Sequence, residues 1–232
     1  MVLIVSIVTT YLAFSFNINF YVDLTMLSIA IIFPLVFTIR GSFKRREKAL
    51  NHLSKFRSAL KTVHYFVMSS PELSEESKVE MTGILINISN QTMDHLQKND
   101  DSTKDLDEII DKVLTFIVKN DLNISKNLKD RTFRFMKDLH ESIENLHAIN
   151  THRTPISLKA YCLIFIYIFP LIYAPTIIFE IGPESNSGIA YFIVILTEFI
   201  LISLYNIQDQ LEYPFDNIGL DDINLDAFKI DR

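Results

Sequence analysis

Between Leu24 and Leu50 the chain reads LTMLSIAIIFPLVFTIRGSFKRREKAL, and its character reverses at Arg40. Leu24 to Ile39 holds no charged residue. Arg40 to Lys61 holds eight basic ones (Arg40, Lys44, Arg45, Arg46, Lys48, Lys55, Arg57 and Lys61) against one acid, Glu47. A helix with this change of face belongs to two solvents: its first half is suited to lipid or protein, its second to headgroups and water. Within the apolar half Ile29, Phe33 and Phe37 recur every four residues. At 3.6 residues per turn they share one face, drifting about 40° per step over roughly 12 Å of axis. Spacing alone leaves two uses for such a stripe, packing against a neighbouring helix or lining an opening, and packing is the commoner one.

The rest of the chain repeats the division. Of its 232 residues 49% are hydrophobic, and these crowd into Met1–Ile39 and Ala160–Ile207 around a polar, helix-patterned middle. The order is membrane, water, membrane. Met1–Phe16 is apolar and rich in β-branched residues, without the positive flank or small-residue cleavage site of a signal peptide, so it reads as a retained first span. At about 24 Å it is short for a hydrocarbon core of about 30 Å. Asn17–Asp23 turns the chain tightly into the second span, with Asp23 placed to suit the helix dipole. A third span over Ala160–Ile181 is expected to kink or break at Pro170 and Pro175, Gly182–Gly188 turns the chain, and a fourth span follows over Ile189–Ile207. The positive-inside rule puts the basic middle and both termini in the cytoplasm. The expected architecture is all-α. Transmembrane helices 1 and 2 lie in residues 1–40, a cytosolic helical bundle in 41–155, transmembrane helices 3 and 4 in 156–208, and an acidic cytosolic C-terminal segment in 209–232.

In the bundle, Leu50, Leu53, Phe56, Leu60, Val63 and Val67 continue the second span as an amphipathic helix to Met68. Pro71 is expected in the first turn of the next helix, with Glu75 and Glu76 early in it, running to about Lys98. Asn99–Lys104 is a loop, and helices follow over Asp105–Lys119 and Ile124–Ile149. In the last of these Met136, Leu139, Ile143, Leu146 and Ile149 or Asn150 form a narrow seam. His152-Arg153-Thr154-Pro155 stops the bundle.

Little here supports chemistry. No glycine-rich phosphate loop and no nucleophile signature is present, which points away from an enzyme. Basic residues that abut a span without aromatic platforms point away from nucleic acid. His140, Glu144 and His147 are spaced by helical turns, but no further close ligand joins them, so no metal and no cofactor is assigned. The single Cys162 excludes an intrachain disulfide. Glu198 stands at membrane depth, where an ionisable group is a proton or ion site, is paired near a span end, or donates as a neutral acid. The last 24 residues carry seven acids, Asp209, Glu212, Asp216, Asp221, Asp222, Asp226 and Asp231, against Lys229 and Arg232, which suits docking on the basic run. Their spacing is not that of an EF-hand.

Three stretches carry a family resemblance. Glu212-Tyr213-Pro214-Phe215, followed by Asp221-Asp222-Ile223-Asn224-Leu225-Asp226, resembles the segment that follows the last span in the bestrophin family. Leu35-Val36-Phe37, with Arg45 eight residues after Phe37 and then Glu47, resembles that family's helix leaving the membrane, and His152-Arg153-Thr154-Pro155 fits as well. The resemblance implies a homopentameric ion channel in the lipid bilayer, with five second spans around one axis and Ile29, Phe33 and Phe37 as the hydrophobic pore neck. It implies inorganic anions such as chloride or bicarbonate as the permeant ions, although cation-conducting bacterial relatives exist. The sequence departs from the family where Ile218, Gly219 and Leu220 interrupt the acidic run, so the calcium clasp of animal members is not carried over. Pro34, inside the neck helix, removes a backbone bond and is expected to bend it. The competing expectations are a membrane-anchored helical scaffold that binds a partner without transport, and a small carrier built on Glu198.

Overall fold

The computed structural model describes residues 1–98, 102–120, 124–182 and 187–231. Seven α-helices appear among them: α1 (Val2–Ser15), α2 (Leu24–Ser69), α3 (Glu75–Lys98), α4 (Lys104–Lys119), α5 (Lys126–Thr151), α6 (Ile156–Ile181) and α7 (Ser187–Glu212). A 3₁₀ turn at Leu225–Phe228 follows, and no strand occurs among the described residues. The fold is all-α, as the periodicity requires. Residues 99–101 of the expected Asn99–Lys104 loop and 183–186 of the expected Gly182–Gly188 turn lie outside the described residues.

Helix boundaries follow from short-range chemistry. Asp23 Oδ1 accepts from the Thr25 N–H at 2.9 Å just ahead of α2, and the bonds from Thr25 hold this exposed carboxyl below its ordinary pKa. Ser74 Oγ accepts from Ser77 N at 3.2 Å, so α3 is capped there; Pro71 lies before the cap and not in the first helical turn, a correction to the sequence reading. A serine supplies the orphan N–H with an acceptor, which proline has no side-chain group to do. Ser125 caps α5 in the same way, accepting from Leu128 N at 3.4 Å. Helix α6 runs through Pro170 and Pro175 without the expected break, the ladder resuming on either side of each missing donor. It stops at Gly182, whose φ of 93° favours a residue without a side chain.

The chain divides into two compact units, Met1–Phe43 with Thr154–Glu212, and Lys44–Arg153 with Tyr213–Arg232. In the first unit α1, α6 and α7 pack on one another. One buried cluster joins Ala13, Ala174, Ile177, Ile178, Ala190 and Val194; a second joins Val2, Ile31, Ile166, Phe169 and Leu201. Small and hydroxylated residues occupy the interior of α1. Ser6 and Thr10 are fully buried, and their hydroxyls donate to the carbonyls of Val2 (3.2 Å) and Ser6 (2.8 Å). Ile4, Ile7, Val8 and Tyr11 of the same helix point outward. Three helical stretches, Leu24–Ser69, Lys126–Ile181 (whose apolar part is α6) and Ser187–Glu212, are long and apolar enough to cross a membrane; α1 is apolar but shorter. This is a composition suited to a multi-pass membrane protein.

The base of this unit is tied by a polar cluster. Glu212, the last residue of α7, is buried; its Oε1 accepts from Thr154 N at 2.8 Å and its Oε2 from Gln208 Nε2 at 2.8 Å. Lys159 Nζ stands 3.1 Å from the same Oε2 and 2.6 Å from Asp209 Oδ1. Asp209 and Glu212, the first acids of the expected C-terminal segment, thus lie in the last turn of α7 and are engaged there.

The second unit buries large apolar side chains and leaves charged ones outside. Leu53, Phe56 and Leu60 of α2, Leu85 of α3, Val113 and Phe116 of α4 and Leu146 of α5 are buried together with Phe215, Ile223 and Leu225 of the C-terminal segment. The segment docks on the basic run, its backbone carbonyls accepting from arginine side chains and its apolar side chains entering the core. Arg46 Nε donates to the Asp221 carbonyl at 2.9 Å, Arg57 Nε to that of Lys229 at 3.1 Å, and Ile230 N to Ser89 Oγ at 3.1 Å. Several carboxylates instead shape the segment itself: Asp216 Oδ1 accepts from Ile218 N at 3.1 Å and Asp222 Oδ2 from Gly219 N at 3.0 Å.

Candidate functional site

The lipid-suited half of α2 buries a narrow strip consisting of Ile31, Leu35, Thr38 and Ser42. Steps of four, three and four residues keep these within about 60° of one another. Counting about 100° per residue from Ile31, Ile29, Phe33 and Phe37 fall near 160°, 200° and 240°, on the opposite face. They are accordingly open, with 55%, 63% and 52% of their surface exposed. The Phe33 and Phe37 rings meet edge to face, 4.7 Å between centroids and 78° between planes, so they form one aromatic block. Arg40 is also exposed and lies near 180°, in line with the block and directly after it. Only 17% of the apolar window of α2 is buried, against 50% of the one containing α6. Helix α7, at 22%, is nearly as open as α2.

Pro34 sits within this block, and α2 continues through it without interruption from Leu24 to Ser69. Glu198 lies in α7 between Val194 and Leu201, fully buried, and neither of its carboxylate oxygens has a partner among the described residues. His140, Glu144 and His147 do not converge on a common point with a further ligand; among the described residues no group of three His, Cys, Asp or Glu side chains does. His147 instead meets His95 of α3, Nδ1 to Nε2 at 3.1 Å, one ring donating and the other accepting. That pair joins residues 52 positions apart, which helical spacing within one segment does not reveal.

No protein-family model and no curated protein matches the sequence. Solved structures do match. The chain is similar to a bacterial bestrophin homolog from Klebsiella pneumoniae carrying a tyrosine-to-alanine mutation, with a TM-score of 0.85 and 15% identity over 98% of this chain and 93% of that one. Another structure of the Klebsiella pneumoniae homolog gives 0.84 and 16% over 98% and 91%. A structure described as a membrane protein with a leucine-to-alanine mutation gives 0.84 and 14% over 98% and 93%. Likeness this complete at so low an identity is a likeness of architecture, and the chain has the bestrophin fold.

Proposed function

We propose that this chain is the subunit of a homopentameric ion channel whose pore neck is formed by Ile29, Phe33 and Phe37. The observation that carries the reading is the outward aromatic block of α2. It lies opposite the strip that α2 buries, on a span that is mostly uncovered within one chain, in a fold shared with bestrophin homologs. Five such helices around an axis stack three apolar rings. Rings of this kind gate by dewetting: an ion passes when they are wide enough to hold water and is refused when they are not.

In this reading residues 1–40 and 156–208 form four transmembrane helices in two hairpins, 41–155 the cytosolic bundle and 209–232 its acidic C-terminal segment. The basic residues from Arg40 onward keep both termini cytoplasmic. Inorganic anions such as chloride or bicarbonate are the permeant ions. Arg40, repeated five times directly after the neck, raises the local anion concentration there. Arg40→Glu is expected to lower the anion-to-cation permeability ratio in bilayer recordings.

The deciding experiment is the mass of the detergent-purified protein by light scattering, corrected for bound detergent. Five copies support the channel, and bilayer recordings in chloride follow. One or two copies remove the shared axis and leave a membrane-anchored scaffold.

A further inference from the structure

The proline in the neck helix leaves one particular atom unserved. In an unbroken α-helix the carbonyl of residue 30 accepts from the N–H of residue 34, and Pro34 has none. At membrane depth no bulk water replaces it, so the carbonyl of Ala30 needs a donor from elsewhere in the protein. Tyr161 of α6 provides one: its hydroxyl donates to Ala30 O at 3.3 Å. The tyrosine ring is braced for this. It packs on Phe165 one turn further along α6, with centroids 4.5 Å apart and planes tilted by 37°. Phe165 in turn packs with Leu27 against the cluster containing Ile31 and Ile166. Leu27 and Ile31 flank Ala30 on α2, so the same two helices hold both the donor and the acceptor.

We infer that Tyr161 is a positioning residue for the neck: its hydroxyl replaces the backbone donor that Pro34 lacks and fixes the turn of α2 between Ile29 and Phe33. Tyr161 touches the backbone of the stripe and not the path of an ion. Without its hydroxyl the Ala30 carbonyl is free to tilt, and the proline becomes a point of bending between the first and second residues of the stripe. The functional arm rests on the channel reading above; the structural arm does not.

The test is a double-mutant cycle on the full chain with Tyr161→Phe and Pro34→Ala, the second restoring the missing N–H. If Pro34→Ala does not fold, Pro34→Leu restores the same donor. Tyr161→Phe is expected to lower the melting midpoint in detergent by about 2–4 °C when Pro34 is present, and to leave it nearly unchanged when residue 34 carries an N–H. Single-channel open probability follows the same pattern, with a change of about threefold in the Pro34 background only. Equal shifts in both backgrounds overturn the assignment. A protein that conducts nothing but shows the thermal coupling retains the hydrogen-bond role and loses the channel. A conducting protein with additive effects retains the channel and loses the role of Tyr161.

Discussion

Helix α1 and the distal half of α2 sort their side chains in opposite ways. In α1 the buried positions are Val2, Ser6, Thr9, Thr10 and Ala13, while Ile4, Ile7, Val8 and Tyr11 face out. In α2 beyond Lys44 the buried positions include Leu53, Phe56, Leu60, Val63 and Val67, and the outward ones include Lys48, Lys55 and Ser58. The second pattern is the hydrophobic effect at work, which draws large apolar groups out of water. The first is what remains when surroundings are as apolar as the side chains. Packing then selects small residues that let backbones approach, with hydroxyls satisfied on their own helix. A single chain thus holds two rules of burial, and Arg40 marks where one gives way to the other.

Substitutions can break this contrast. Phe56→Ala should cost about 3–5 kcal/mol, because it empties a fully buried site in a water-type core; denaturant unfolding of the bundle reads the loss. Ser6→Leu adds volume where α1 has none to spare and should cost about 1–3 kcal/mol, with Val8→Leu on the outer face as the neutral control. The combined Ile29→Ala, Phe33→Ala and Phe37→Ala protein should unfold within about 1 kcal/mol of the parent, since these side chains are exposed, yet show raised conductance or looser gating. Unchanged currents in that variant would remove the neck from the stripe.

The smallest effect is a pH dependence confined to the water-type unit. Burial, and after it the neighbouring Asp216, raise the Asp222 carboxyl above its ordinary pKa. The folded state therefore binds this proton more tightly than the unfolded one. The contribution is fully present below the ordinary carboxylate pKa and is lost as pH rises through the folded value. Acidification from neutral pH should raise the melting midpoint slightly more in the parent than in Asp222→Asn.

Much of the architecture is legible in the sequence because it depends on neighbours along the chain. The reversal at Arg40 comes just before α2 passes from the first compact unit to the second at Lys44, and the seam of Met136, Leu139, Ile143 and Leu146 is the buried face of α5. The exposure of Ile29, Phe33 and Phe37 was not legible. Periodicity gives a shared face but not which way that face turns, and only the burial of Ile31 and Leu35 reveals it. Pairings distant in sequence were equally hidden. His95 with His147, and Tyr161 with the Ala30 carbonyl, are set by how helices pack. Glu212 looked like part of an acidic tail because composition counts charges without saying which are already engaged. Of the kink or break expected at Pro170 and Pro175, α6 shows no break, because the local rule treats a helix as isolated.

The cluster around Glu212 has a consequence for how α6 and α7 come apart. These helices are neighbours in the chain, joined through a short connection at one end. At the other end Thr154, just ahead of α6, and Lys159 in its first turn hold Asp209 and Glu212 at the finish of α7. The pair is a closed ring, shut at one point by covalent chain and at the other by charge and hydrogen bonds. A ring opens as a whole: neither helix can fray from its tied end without releasing the other. Amide protons at the start of α6 and at the finish of α7 should therefore exchange together, and Glu212→Ala should uncouple them.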